Sequence, residues 1–434
     1  MTTLRDLLAE HGGGTGLAAA VRAGRVGAQA PTDAARAEVA RRDAQLHAFT
    51  QLTTQTAAAA TGSLSGLPLA VKDNIDVAGT VTSYGRPLAG RPPARADAPA
   101  VAALVRAGAV VVGKTNLPEF ATSAITSNPT FGDAVSPWDA SRTPGGSSGG
   151  SAVAVAAGMA VAALATDTAG SAVIPAALTG VWGLRPSHGA VPVAGIAPLS
   201  PSLDTVGLIA ADAGALAAHH WVLTGRPWPP SGIAAQDLRG LRVAVLGGWF
   251  ADTDPDVGQV AAEFAGRLAD HGCRPHPAEL AGAERAFNQA RAIYAAEAAE
   301  SITRLAPPGP RYAASVESRR TARHTEAEVA AARAARGPWQ RAAAALFDDA
   351  DVLLCPVTPM TAPPLDAGEA TVSRLVRLTY PFCFAGLPLV SVPGGWPSGR
   401  PAGVMLAGPP GGDDRLLRVA AAIEKAGVAA GFEQ

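Results

Sequence analysis

Three residues that could do chemistry together stand in separate glycine-rich segments of the chain. Lys72 lies in GLPLAVKDN, Ser147 in GGSSGG and Ser171 in DTAGS. A lysine whose pKa is lowered by burial can act as a base, and a serine hydroxyl becomes a nucleophile once a base accepts its proton. The three side chains could therefore supply a base, a proton relay and a nucleophile.

Lysine is rare in this chain, which makes Lys72 stand out. The sequence has 35 lysine and arginine residues, of which only Lys72, Lys114 and Lys425 are lysine. Arginine stays protonated in proteins, whereas a buried lysine can lose its proton and act as a base. The presence of a lysine among so many arginines favours a role that arginine cannot perform, although chance explains the three lysines equally well.

Two further motifs offer competing interpretations. Residues 108–115, GAVVVGKT, match the P-loop pattern GxxxxGK[ST], but the run Ala-Val-Val-Val favours a β-strand over a loop that wraps phosphates. Residues 145–149, GGSSG, match the nucleophile elbow GxSxG, which would make Ser147 the nucleophile with a histidine base. The polar, proline-bounded segment before Ser147 lacks the buried strand that such an elbow follows.

The segment around Ser171 favours a catalytic interpretation of both serines. Residues 168–171, TAGS, form a turn of small residues whose backbone N–H groups can converge on one point, as an oxyanion hole requires. Each serine segment alone is also compatible with a simple turn or a helix cap.

Taken together, these segments resemble the amidase signature family of Ser-Ser-Lys hydrolases, and the resemblance covers nearly the whole chain. The Lys72 to Ser147 and Ser147 to Ser171 spacings also fit that family. Further segments that carry the resemblance are GKTNLPEF (113–120), NPTFG (128–132), PGGSSGGSA (144–152), TDTAGS (166–171), IPA (174–176), GLRPS (183–187), SLDTVG (202–207) and GLP (386–388). The segments 185–191 and 202–207 look most similar to short amidases of the indoleacetamide hydrolase type.

The resemblance implies a role for each matching residue. Ser171 would be the acyl-enzyme nucleophile, Lys72 the general base, and Ser147, preceded by a cis peptide bond, the proton relay between them. The predicted oxyanion donors are the N–H groups of Thr168, Ala169, Gly170 and Ser171. Ser148 and Asp167 would position these groups, and Ala121, Thr122 and Ser123 would line the substrate pocket.

Two departures from the family pattern concern the substrate. Many relatives have arginine two residues after the nucleophile, where in some it pairs with a substrate carboxylate, but this chain has Val173. Loss of that bidentate donor favours neutral amides over malonamate-like or allophanate-like ones. Cys383 stands where many relatives have asparagine. We do not assign His188 a catalytic role, because the three predicted residues already supply every proton transfer.

The pattern of elements predicts an α/β fold, and the resemblance implies a large mixed twisted sheet covered by helices on both faces. Apolar runs at 67–71, 110–112, 243–246 and 352–355 predict strands, and residues 98–106 predict a helix. We interpret the uncharged residues 152–165 as one buried helix, too short to span a membrane. We expect a single amidase domain, 1–434. Its parts are an N-terminal helical cap (1–60), the core motifs (61–210), a helical lid-like insertion (225–350) and a return to the sheet (351–434). The insertion begins with a Pro/Gly-rich hinge (225–240).

Composition limits the classes of partner. A formal net charge of -1, with 48% hydrophobic and 16% charged residues, argues against nucleic-acid and membrane-surface partners. Three widely spaced cysteines and a charged N-terminus without an apolar signal core predict a cytoplasmic protein. No metal-ligand spacing is visible, and we expect neither metal nor cofactor. A homodimer remains open.

The resemblance therefore implies an amidase that converts a small neutral aryl or alkyl carboxamide to an acid and ammonia or an amine. The alternative is an acyl transferase, or an amidotransferase-like subunit that passes ammonia to a partner. A non-catalytic scaffold on the same fold is a third class.

Overall fold

Two of the three glycine-rich segments lie at the ends of neighbouring strands of a mixed β-sheet. The computed structural model describes residues 2–57, 61–226, 237–306, 312–321 and 325–431. Its strands are β1 (Phe49–Leu52), β2 (Pro68–Lys72), β3 (Val110–Thr115), β4 (Ala162–Asp167), β5 (Trp182–Arg185), β6 (Thr205–Ala210), β7 (Arg242–Leu246), β8 (Arg274–Ala278), β9 (Val352–Pro356), β10 (Leu389–Gly395) and β11 (Ala402–Ala407).

These strands form one sheet in the order β1-β3-β2-β4-β6-β5-β10-β11-β9-β7-β8. Strand β2 pairs in parallel with both β3 and β4, so the carboxyl ends of β2 and β4 lie at the same edge. Every residue of β2, β3 and β4 is buried, as expected for parallel strands that are covered on both faces. This arrangement brings the end of the Lys72 strand next to the segment that leads to Ser171.

Helices cover the sheet and pack into two large apolar clusters. They are α1 (Leu4–His11), α2 (Gly14–Arg22), α3 (Ala30–Leu46), α4 (Pro99–Arg106), α5 (Gly149–Ala156), α6 (Val173–Thr179), α7 (Ala213–Leu223), α8 (Pro255–Asp270), α9 (Ala283–Leu305), α10 (Ala314–Thr321), α11 (Glu326–Ala345), α12 (Glu369–Leu375), α13 (Tyr380–Ala385) and α14 (Asp413–Lys425). The α/β class and the four predicted strands are confirmed, and the helix predicted at 98–106 is α4.

The prediction of one buried helix over residues 152–165 is wrong. Helix α5 ends at Ala156, Gly158 adopts a left-handed backbone at φ +75°, and the chain continues as strand β4. Runs of alanine and valine fit a buried strand as well as a buried helix, so the apolar pattern alone could not separate them. The error matters because β4 ends at Asp167 and leads directly into the loop that carries Ser171.

The predicted division of the chain remains a prediction. The cap range 1–60 holds helices α1 to α3 but also the edge strand β1, and the range 225–350 holds strands β7 and β8 besides its helices. Residues 227–236, most of the predicted hinge, lie outside the described residues. Within the described part of the chain no helix is both long and apolar enough to cross a membrane.

Candidate active site

Lys72 is the last residue of β2, and its side chain is fully buried. Its Nζ donates hydrogen bonds to Ser147 Oγ at 2.7 Å and to Thr166 Oγ1 at 2.9 Å. Burial lowers the pKa of Lys72 to about 7, although the carboxylates of Asp167 and Asp204 act in the opposite direction. An amine with this pKa is suited to accept a proton near neutral pH.

The Ser147 loop is held against Thr126 and leads directly into α5. The Thr126 hydroxyl donates to the carbonyl oxygen of Gly145 at 2.8 Å and accepts from the N–H of Gly149 at 3.1 Å. A Cβ on Gly149 would lie 2.3 Å from Thr126 Oγ1, so this close approach requires glycine. The peptide bond between Gly146 and Ser147 is cis.

Asp167, the last residue of β4, shapes the loop that carries Ser171. Its Oδ1 accepts hydrogen bonds from the N–H of Gly170 at 2.8 Å and from Arg185 Nη1 at 2.9 Å, and its Oδ2 accepts from the N–H of Ala172 at 2.8 Å. Both charged side chains are fully buried. The carboxylate thus binds the N–H groups of the residues immediately before and after Ser171, and the positioning role of Asp167 stays a prediction.

The predicted oxyanion donor set needs one correction. The N–H of Gly170 is already bound to Asp167 Oδ1. In the described part of the chain the N–H groups of Thr168, Ala169 and Ser171 have no hydrogen-bond acceptor. These three residues, and not Gly170, line the cavity described below.

Ser148 joins the two serine loops. Its N–H donates to the carbonyl oxygen of Ser171 at 3.1 Å, and its hydroxyl donates to the carbonyl oxygen of Thr166 at 3.2 Å. Lys72 and Ser147 are buried, whereas Ser171 is partly exposed on the cavity wall. Among the described contacts the hydroxyl groups of Ser147 and Ser171 do not bond each other.

A cavity of about 540 Å³ opens at Ser171. The predicted pocket residues Ala121, Thr122 and Ser123 line it, whereas Val173 is fully buried in the apolar core beside it. Position 173 therefore bears on substrate choice because a positive charge is missing there, and not because the valine contacts the substrate. The remaining lining residues are Ala124, Thr168, Ala169, Leu199, Asn288, Arg291, Tyr294, Ala295, Ser318, Arg319, Thr321, Glu369, Val372, Ser373, Val376 and Tyr380.

Helices α9, α10, α12 and α13 contribute another wall of the cavity, none of whose residues the sequence analysis named. This wall carries charge: Arg291 and Arg319 face the cavity, and Arg319 Nη1 lies 3.6 Å from Glu369 Oε1. No local motif marks these positions, because they sit in ordinary alanine- and arginine-rich helical sequence. Within the described residues no group of three or more His, Cys, Asp or Glu side chains could hold a metal ion.

Neither the P-loop match nor the nucleophile-elbow match has the structure that its alternative interpretation requires. Residues 110–115 of the P-loop match form the buried strand β3, and Lys114 Nζ donates to Asp73 Oδ1 at 2.7 Å in a fully buried ion pair. Ser147 contacts Lys72 and not a histidine, against the elbow interpretation. His188 does not line the cavity, and its backbone N–H donates to Gly386. Lys72 and Lys114 are thus both buried, but among the described residues Lys72, unlike Lys114, has no carboxylate partner at hydrogen-bond distance.

We expect Arg185→Met to destabilise the protein by about 3–5 kcal/mol, because it leaves the buried Asp167 carboxylate without its cation. Urea unfolding followed by circular dichroism measures the change. Arg239→Met is the control, because Arg239 pairs with Asp237 at an exposed site, and its unfolding midpoint should match that of the parent protein. Equal midpoints for the two variants would contradict a structural role for the buried pair.

Comparison with known proteins shows the family of this chain. A model of the amidase family, described as Amidase, matches residues 24–417. The chain belongs to the amidase signature family. The resemblance inferred from the motifs is therefore confirmed, and the protein is an enzyme of a family that hydrolyses amide bonds.

Relatives in this family have different names and roles. The chain is 32% identical to the 1-carboxybiuret hydrolase subunit AtzE of Pseudomonas sp. (strain ADP), over 94% of this chain and 97% of that protein. It is 32% identical to a glutamyl-tRNA(Gln) amidotransferase subunit of Roseiflexus sp. (strain RS-1), over 91% and 92%. The solved structure of 6-aminohexanoate cyclic dimer hydrolase with its substrate superposes with a TM-score of 0.84 at 25% identity, over 95% and 96%.

Proposed function

We propose that the protein hydrolyses a small neutral aryl or alkyl carboxamide to a carboxylic acid and ammonia or an amine, through an acyl-enzyme on Ser171. The observation that carries the proposal is the buried amine of Lys72, 2.7 Å from Ser147 Oγ and with a pKa of about 7, beside a cavity at Ser171. This is an amine that can take up and return one proton at neutral pH.

In the first half of the reaction Ser171 Oγ attacks the carbonyl carbon of the amide. The Ser171 proton passes to Ser147, whose own proton passes to Lys72 Nζ. When the carbon–nitrogen bond breaks, the proton returns from Lys72 through Ser147 to the leaving nitrogen, which departs as a neutral amine or ammonia. Protonation is needed because an amide anion is a very poor leaving group.

In the second half water attacks the ester on Ser171. Water loses its proton through Ser147 to Lys72, and collapse of the second tetrahedral intermediate returns that proton to Ser171 Oγ and releases the acid. The free N–H groups of Thr168, Ala169 and Ser171 would stabilise the oxyanion in both halves. Removal of one such donor typically costs about 2.7–4 kcal/mol of transition-state stabilisation.

The neutral substrate is inferred from position 173, where this chain lacks the arginine that binds a carboxylate in some relatives. Arg291 and Arg319 line another wall of the same cavity, with Glu369 beside Arg319. A test of substrate charge must therefore separate a carboxylate next to the scissile amide from one further along the substrate.

A second candidate function is acyl transfer or ammonia delivery within a complex. The relatives favour it, because AtzE and the amidotransferase protein are both named as subunits. An acyl transferase should speed up when hydroxylamine is added, whereas a hydrolase that works alone should turn over in water. A homodimer also remains a prediction, which light scattering of the purified protein tests.

We expect ammonia or amine release from neutral aryl and alkyl amides and none from malonamate or allophanate. The panel should also hold the half-amide of a longer dicarboxylic acid, which carries its charge away from the reacting carbon. The Ser171→Ala variant is the control for release that does not depend on the enzyme. Release from malonamate and allophanate alone would contradict the argument from Val173, and no release from any amide would favour the second candidate.

A further inference from the structure

Asp204 carries a carboxylate that the proposed proton transfers do not use. It stands immediately before β6, and its Oδ1 accepts a hydrogen bond from Thr168 Oγ1 at 2.6 Å. Its Oδ2 accepts from the N–H of Leu199 at 2.8 Å, and the N–H of Ser200 contacts both oxygens at 3.1 and 3.0 Å. One carboxylate thus holds two separate backbone segments.

Both of those segments reach the substrate cavity. Thr168 is one of the three residues with a free backbone N–H on the cavity wall, and Leu199 lies on the same wall. The side chain of Asp204 also lines a second, smaller cavity of about 70 Å³, together with Asn74 and Thr166. Asp204 therefore lies directly behind the wall of the proposed oxyanion hole.

The far side of the same loop is held by α9. Glu297 Oε2 accepts from Ser200 Oγ at 2.7 Å and from the N–H and hydroxyl of Ser202 at 3.1 and 3.0 Å. Residues 199–202 are thus clamped between the Asp204 carboxylate and the helix that carries Arg291 and Tyr294. Loss of the Asp204 contacts would release the Thr168 hydroxyl and would leave residues 199–202 held on the α9 side by Glu297.

We propose that Asp204 is a positioning residue for the amidase reaction, which holds Thr168 and residues 199–200 so that the Thr168 N–H meets the oxyanion. The proposal builds on the proposed function, because it assigns an oxyanion-binding role to Thr168. Thr168→Val removes the tethering hydroxyl but leaves the carboxylate. Asp204→Asn keeps the shape but places an N–H₂ group against backbone N–H donors.

The charged groups near Lys72 supply a readout that loss of folding would not produce. They are Asp167, which is paired with Arg185, and Asp204. The Cys383 thiol lies 3.9 Å from Asp167 Oδ1, but burial raises the pKa of this thiol to about 12. The Asp204 carboxylate favours the protonated form of Lys72. Asp204→Asn removes this charge and should move the acidic limb of the pH profile of kcat/KM to lower pH. Thr168→Val keeps the carboxylate and should leave that limb in place.

We expect each variant to lower kcat by ~10–100-fold with KM changed less than about threefold, because a displaced donor costs part of the ~100–1,000-fold of a deleted one. The double variant should lose little more than Asp204→Asn alone, since both changes break one contact. Asp413→Asn is the matched control, a buried carboxylate that binds Ser187 away from the cavity. The proposal would be overturned if the losses of kcat in the two single variants added up in the double variant. An acidic limb of kcat/KM that does not move in Asp204→Asn would also overturn it.

A second readout separates this proposal from the proposed function. Phenylmethylsulfonyl fluoride modifies reactive serines, and mass spectrometry locates the adduct. Slower labelling of Ser171 in Thr168→Val than in the parent protein supports the positioning role even if no amide in the panel is hydrolysed. Equal labelling rates in both, with equal kcat, would overturn it whether or not Asp204→Asn folds.

Discussion

Replacement of Ser171 by alanine should lower kcat for the best amide by ~10⁴-fold or more while the fold and substrate binding are retained. Without Oγ no acyl-enzyme forms, and the oxyanion donors alone provide only residual catalysis. Alanine fits easily, because Ser171 is partly exposed on the cavity wall and its side chain is not part of the core. Ammonia release under single-turnover and steady-state conditions measures the effect.

The matched control for this variant is Ser391→Ala. Ser391 is a buried serine of β10 whose hydroxyl has no hydrogen-bond partner among the described residues, so its removal should change neither kcat nor the unfolding midpoint. Phenylmethylsulfonyl fluoride should label the parent protein and Ser391→Ala at Ser171 but leave Ser171→Ala unlabelled. Turnover by Ser171→Ala above a tenth of the parent rate would exclude Ser171 as the nucleophile.

The sequence indicates which segments meet at the candidate site, because local chain geometry largely determines their positions. Lys72 ends a short apolar strand, and Ser147 and Ser171 lie in loops whose glycines permit close backbone approach. Each such segment has a recognisable sequence. Parallel pairing of β2 with β4 then brings the end of β2 next to the residues that follow β4.

Further features of the site depend on contacts that no local pattern encodes. The Gly170 N–H binds the Asp167 side chain, three residues earlier in the same loop. Three of the four predicted oxyanion donors therefore remain available. The arginines of the cavity wall come from α9 and α10, more than 100 residues after Ser171. Their orientation towards the site is set by helix packing, and helical periodicity marks only which face is apolar.

The two buried lysines illustrate the same limit. Lys72 and Lys114 end up in adjacent strands, and both are fully enclosed. The partner separates their roles: Lys114 binds the Asp73 carboxylate directly, whereas Lys72 contacts two hydroxyl groups. A buried carboxylate partner favours the charged form of a lysine more strongly than hydroxyl neighbours do. The contacts, and not the composition, therefore favour Lys72 over Lys114 as the proposed base.

Replacement of Lys72 by methionine should abolish turnover and yet stabilise the folded protein near pH 7. Methionine has a similar length and no charge, so it fills the same buried space but cannot accept the proton of Ser147. We expect kcat to fall by ~10⁴-fold, as for loss of a base in comparable catalytic sets. In the parent protein kcat/KM should fall as the pH drops below about 7, because the amine is then protonated.

The stability effect has the opposite sign to the effect on activity. Burial lowers the pKa of Lys72 in the folded protein from 10.5 to about 7, so between these values the unfolded chain binds more protons and stability rises with pH. Lys72→Met lacks this dependence and should exceed the parent protein in unfolding free energy at pH 7 by on the order of a few kcal/mol. Lys425→Met, at an exposed lysine, should alter neither property. An acidic limb near pH 10, or retained turnover in Lys72→Met, would show that Lys72 is not the base.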